Sequence, residues 1–196
     1  MKTCIRRPTT DDRRPTTDDR RPATGDGQGH GMTVGDGVRF QVAVCGPGSC
    51  TEQERLAALH VGELLAERGV IVLCGGGGGV MGAVAEGARS RGGLVVGIRP
   101  DLDRAAAPDA LSAVVFTGMG EARNAAIVAS ADAVISLGGS WGTLSEVALA
   151  MRREEIPVVC ITGWRVTDQT GSPIPGPVHV ATPEEAVSTV LAGRFA

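Results

Sequence analysis

From Val42 onward the chain repeats one unit: four to six nearly wholly apolar residues, a turn, then a helical pattern. The apolar runs are Val42–Cys45, Val70–Cys74, Leu94–Ile98, Ser112–Thr117, Ala133–Leu137, Val158–Thr162 and a short Val178–Ala181. Strands apolar on both faces must be covered on both faces, which specifies a parallel sheet between helical layers. Right-handed crossovers then make an α/β, Rossmann-like doubly wound sheet of about seven strands, with an expected order of 3-2-1-4-5-6-7 counted along the chain. The helical stretches carry their own signals. Thr51 and Glu54 form a capping box ahead of Leu56, Leu59, His60 and Leu64. Further helices are expected over 80–90, 121–130 and 143–153. A last helix opens on Thr182, with Pro183 at its first position and Glu185 beyond.

The 196 residues suit one domain. Residues 6–24 read RRPTTDD RRPTTDD RRPAT, a seven-residue repeat of alternating charge with nothing to bury. Residues 1–37 are therefore expected to be a disordered tail, and 38–196 the folded domain. No apolar run approaches the ~20 residues of a membrane helix, and no leader is visible. A cytoplasmic protein without a membrane partner is expected. The five cysteines are odd in number and lack metal-ligand spacing, so they read as small buried hydrophobes in a reducing compartment, and no metal is expected.

Lysine is the informative absence. The only one is Lys2, so the folded part has none. That excludes Schiff-base chemistry, pyridoxal phosphate enzymes included, and a GxxxxGK[ST] phosphate loop. Residues 1–36 hold seven basic and six acidic side chains; the remainder holds twelve and sixteen, a net of −4. A nucleic-acid partner would call for the opposite sign. The 29 glycines are about twice the usual ~7% share. They gather in three strand-to-helix turns: Gly46-Pro47-Gly48-Ser49, Gly75–Gly79 ahead of Met81, and Gly138-Gly139-Ser140-Trp141-Gly142-Thr143. Such turns let backbone N–H groups approach an anion at a helix N-terminus. Three of them on one sheet edge point to a small phosphate-bearing ligand. A dinucleotide site is not indicated. Thr51 stands where a third glycine would be, and no acidic residue ends the second strand.

Three segments carry a resemblance: CGGGGGVMGAVAEGARSRGGLVVGIRP, TGMGEARNAAIVASADAVISLGG and SWGTLSEVALA, spanning Cys74–Ala150. They are similar to the LONELY GUY-type superfamily. This group includes cytokinin riboside monophosphate phosphoribohydrolases, molybdenum cofactor carrier proteins and proteins labelled "lysine decarboxylase". The hydrolase signature is PGGxGTxxE with an upstream Arg-Lys pair. Here Gly138 stands for the proline, Gly139 matches, Ser140 replaces the second glycine, and Gly142, Thr143 and Glu146 match. Arg123 falls on the family's arginine, and Asn124 replaces its lysine. The wording GEARN…GGSWGTLSE is closer to the carrier-like branch.

The resemblance implies that Glu146 is the catalytic carboxylate, with Arg123 holding anionic charge. Thr143-x-x-Glu146 also reads as a capping box, which would bond Glu146 back to the Thr143 amide. Arg123 in the first turn of a helix opposes the helix dipole, which favours a ligand role over helix chemistry. The expected ligand contacts are Gly46, Gly48, Ser49, Gly76, Gly77, Gly78, Met81, Asn124, Gly138, Gly139, Ser140, Trp141, Gly142 and Thr143. Met81 reads first as core, and Trp141 is equally placed for packing. Two functions follow. One is a nucleoside 5′-monophosphate phosphoribohydrolase needing no cofactor. The other is a carrier or sensor of a nucleotide or molybdopterin-type ligand without turnover. A homo-oligomer is implied by the resemblance.

Overall fold

The structure, a computed structural model, describes residues 38–192 and residues 33–34. Thr33–Val34 (β1) pairs antiparallel with Val38–Arg39 (β2), so regular backbone pairing begins inside the segment expected to be tail. The repeats and the rest of the 1–37 reading lie outside the described residues, as does Cys4.

The domain proper is a seven-stranded parallel sheet. Its strands are Gln41–Cys45 (β3), Ile71–Cys74 (β4), Val95–Arg99 (β5), Ala113–Phe116 (β6), Ala133–Leu137 (β7), Val158–Ile161 (β8) and Val178–Val180 (β9). The helices are Glu52–Glu67 (α1), Val80–Ser90 (α2), Arg123–Ala129 (α3), Trp141–Met151 (α4) and Pro183–Leu191 (α5). The α/β doubly wound fold is as the apolar runs require. Helices α1, α2 and α5 cover one face, around Val42, Val44, Leu65 and Val84, and α3 and α4 cover the other, around Ala43, Leu73, Ile127 and Val134.

The strand order is β6-β5-β4-β3-β7-β8-β9. Counted as the seven apolar runs, that is 4-3-2-1-5-6-7, which corrects the expected position of the fourth. Ser112–Thr117 does not sit beside the first strand; it extends the sheet beyond the third. The physical reason is its burial. Along β6 exposed and half-buried residues alternate, a pattern that suits an edge and not the middle of a sheet covered on both faces. The connection from β5 to β6 contains no α-helix, so no covering layer is laid over that edge.

The corrected order sharpens where a ligand belongs. The chain winds outward from β3 to β6, then returns to lay β7 on the other side of β3. This reversal leaves a crevice at the carboxyl ends of β3 and β7, the place where open α/β sheets bind ligands.

Local chemistry explains most helix ends. Thr51 Oγ1 accepts from Glu54 N–H, and the Glu54 carboxylate accepts from Thr51 N–H at 2.8 Å. Thr182 caps α5, whose first residue is Pro183. Helices α1 and α2 pack backbone to backbone. A Cβ added at Gly62 would overlap Val84 O, and one at Gly87 would overlap Leu59 O.

Candidate functional site

The glycine turns after β3 and β4 meet at the crevice, and they meet each other. Val80 N–H, at the start of α2, donates to Pro47 O at 3.1 Å. Gly79 takes a positive φ of 59° against the Pro47–Gly48 backbone. One amide of the α2 N-terminus is thus occupied by the chain itself. The Gly77 and Gly78 N–H groups have no protein acceptor among the described residues. Gly48, Ser49 and Gly78 lie exposed at the rim. Met81 reaches back over this loop, with its Cε near the Cβ directions of Gly48 and Gly77. It borders the crevice and also packs against the core.

Arg123 and Glu146 are the buried charges of the site, 9% and 6% exposed. They come from different elements, α3 and α4, and are brought together over the ends of β3 and β4. Arg123 Nη1 stands 3.9 Å from Glu146 Oε1, an ion pair too long for a hydrogen bond. Arg123 Nε and Nη1 are buried without any hydrogen-bond partner. Buried guanidinium donors left unpaired are costly, and these two could pair with an anion. The guanidinium lies against Gly75, where a Cβ would overlap Nη1 and Met81 Sδ. This is the physical reason for glycine at that position. Burial pushes the Glu146 carboxyl up to about 7, against the lowering pull of Arg123 and of the Cys45 thiol beside it, with Glu121 adding a small rise. Burial also raises the Cys45 thiol, and the Cys74 thiol to about 11, so both are neutral SH groups.

The helix after β7 begins two residues earlier than its spacing suggests. Ser140 is its N-cap, in extended backbone (φ −150°), and its Oγ accepts from Thr143 N–H at 3.1 Å. The capping-box reading of Thr143 and Glu146 is thereby corrected. The Thr143 hydroxyl is paired with Ser140 Oγ, and Glu146 lies buried beside Arg123 and Cys45. Trp141 and Gly142 N–H groups are left without protein acceptors among the described residues.

Other expected ligand residues are engaged within the protein. Gly138 N–H donates to Ile161 O and Thr162 Oγ1, both at 3.3 Å. Gly139 lies beneath the Trp164 indole, which a Cβ there would strike. Asn124 is buried and donates from Nδ2 to Ser145 Oγ at 2.8 Å, tying α3 to α4. Trp141 is 78% exposed and touches Trp164 edge-on, ring centroids 5.0 Å apart. Gly46 packs against Val80, and Gly76, at φ 65°, against Arg99.

Arg99 is the residue that sequence reasoning passed over. Buried at the end of β5, it donates to Gly76 O (2.6 Å) and Ala106 O (2.8 Å) and pairs with Asp101 (2.7 Å). It fixes the Gly75–Gly79 loop from behind. A cation closing an apolar run was the available signal. Cys45 was the other omission; only its place beside Glu146 gives it meaning. Among the described residues no cluster of metal-ligating side chains occurs, and no helix is long and apolar enough to cross a membrane.

Known proteins resemble this chain in sequence and fold. An uncharacterized protein of Archaeoglobus fulgidus is 43% identical over 154 residues, covering 76% of this chain and 93% of its own. A rice protein (Oryza sativa subsp. japonica) named as a probable cytokinin riboside 5′-monophosphate phosphoribohydrolase is 38% identical over 96 residues. That match covers 47% of this chain and 39% of the rice protein. Among solved structures, the molybdenum cofactor binding protein from the phototrophic bacterium Rippkaea orientalis superposes with a TM-score of 0.67. It is 32% identical, with 76% of this chain and 93% of that one covered. The model of the SLOG cluster4 family matches residues 39–187, the whole sheet with all three glycine turns and the Arg123–Glu146 pair, and the chain belongs to that family.

Proposed function

We propose that the crevice between β3 and β7 binds a small phosphate-bearing ligand and that the protein is a nucleoside 5′-monophosphate phosphoribohydrolase. The observation that carries this is the Arg123–Glu146 pair. Two buried guanidinium nitrogens lack partners, beside a carboxyl whose proton is balanced near neutrality. Arg123, with the free amides of Gly77 and Gly78, supplies charge-assisted donors for the 5′-phosphate. In the reaction the bond from ribose to base nitrogen breaks, water adds its oxygen to the ribose carbon, and the base leaves with a proton. Ionised Glu146 faces the oxocarbenium-like ribose and accepts the water's proton. A pKa near the working pH lets one group hold and release that proton. Incubation with a panel of purine monophosphates should release free base, read by chromatography. Glu146→Gln should abolish release while nucleotide binding persists. No base from any member of the panel rejects the hydrolase.

A second reading, a carrier of a molybdopterin-type ligand or nucleotide without turnover, is favoured by one observation. Where the resemblance expects a lysine, Asn124 spends its amide on Ser145. The similarity to the molybdenum cofactor binding protein over nearly its full length supports the same reading. Mass spectrometry of whatever travels with the purified protein, and binding without product, would select it. Both readings describe a cytoplasmic homo-oligomer; light scattering on the purified chain tests the assembly.

A further inference from the structure

A cavity of about 600 Å³ lies between α4, β8 and the loop 163–177, on a different face of α4 from Glu146. Its size falls within the range of small-molecule sites. The walls are mostly apolar, with Leu144, Val147 and Met151 from α4 and Ile174 from the loop, and the Gly138–Thr143 turn closes one end. No acidic residue lines it. The charged groups are Arg165 and, at the far wall, His179. Arg165 makes no ion pair or hydrogen bond with any described residue. The imidazole of His179 is lowered first by burial and then by the Arg165 charge. Apolar side chains of the loop, Val166 and Ile174 among them, remain uncovered at the mouth.

An apolar slot with one unmatched cation calls for a specific chemistry. We propose that this cavity is a second ligand site, adjoining the phosphate crevice across the Gly138–Thr143 turn, for a flat, mainly apolar organic anion such as an aryl carboxylate or sulfonate. The apolar body lies along Val147 and Met151, and the anionic group pairs with Arg165. The inference does not depend on the crevice being catalytic.

The full chain offers its own detector, since its two tryptophans and absence of tyrosine confine intrinsic emission to Trp141 and to Trp164, which lines the cavity. The probe is 1-anilinonaphthalene-8-sulfonate, titrated while tryptophan emission and energy transfer are followed. One saturable site per chain is expected, not displaced by excess adenosine 5′-monophosphate. Arg165→Ala, an exposed change, should weaken the probe about 10-fold or more, as loss of a charge-assisted contact does. The uncharged analogue N-phenyl-1-naphthylamine should be indifferent to that substitution. Val147→Trp, checked for folding by circular dichroism, should abolish binding by filling the slot, while Arg123→Ala should leave it unchanged. The proposal is overturned if Arg165→Ala leaves probe affinity unaltered, if Arg123→Ala removes binding, or if the chain self-associates through this face and excludes the probe.

Discussion

At the residue scale the site rests on one carboxyl kept where ionisation is unfavourable. The Glu146 proton is held to about pH 7 by burial, against an ordinary value near 4.5. Between those values the native state binds more protons than the unfolded chain, so stability falls as pH rises from about 4.5 to about 7 and is level outside that window. The integrated loss is about 3 kcal/mol. His60 is raised by its bonds to Glu63 and Glu184 and adds a loss as pH climbs through its own titration, but that term is shared by every Glu146 variant. Urea unfolding at a series of pH values should therefore show a shallower decline in Glu146→Gln than in the parent. Equal slopes would mean that Glu146 is ionised normally. Arg123→Ala should weaken nucleoside monophosphate binding about 10- to 100-fold, the worth of one or two charge-assisted hydrogen bonds, measured by calorimetric titration. Gly75→Ala should mimic it by pushing the guanidinium off its seat. A Gly75→Ala protein that binds normally would show that the arginine needs no such seat. Arg123 was visible in the sequence as a type out of place, a cation in a first helical turn, whereas Glu146 was singled out by the resemblance, its spacing from Thr143 suiting a cap as well. Their partners were not visible. Nothing near Gly139 announces Trp164, and nothing near Glu146 announces Cys45, because both contacts cross the sheet order.

At the scale of elements, what could be read was local. Thr51 with Glu54, and Thr182 with Pro183, gave helix starts because capping chemistry spans only a few residues. The start of α4 was misplaced because Ser140 and Thr143 carry the same hydroxyl chemistry. Only the bond from Thr143 N–H to Ser140 Oγ separates cap from first turn. The place of β6 was missed for a different reason. Its apolar run resembles the others, and only the helix-free connection leaving β5 reveals an edge. Glycine inside a helix ordinarily costs about 1 kcal/mol relative to alanine, so Gly62 and Gly87 look like flaws in α1 and α2. They are contact points. Gly87→Ala should destabilise the domain by about 1–3 kcal/mol net of its propensity gain, since the overlap is with Leu59 backbone and no rotamer relieves it. Denaturant titration checks this, and a stabilised Gly87→Ala protein would refute the close crossing of the two helices.

For the whole molecule, the absence of lysine from the folded part makes every cation of the domain an arginine. Fixed, planar donors suit the small anion of the proposed function. A ligand that binds only the native state must raise its stability by mass action. A nucleotide present at 100 times its Kd should stabilise the domain by about 2.7 kcal/mol, raising Tm by roughly 5–10 °C at this size. Thermal scans with increasing nucleotide should follow that course in the parent and rise by only roughly 1–5 °C at the same concentration in Arg123→Ala. A rise of the same size in both would place the nucleotide elsewhere.

One junction joins these scales. Gly163, which opens the loop over the apolar cavity, is pressed against the carbonyl of Gly138 so closely that a methyl group could not enter, and Trp164 sits directly on Gly139. The turn and the loop therefore touch backbone to backbone and ring to backbone. If both chambers fill, thermodynamic reciprocity fixes the outcome: each occupant alters the other's grip by the same factor.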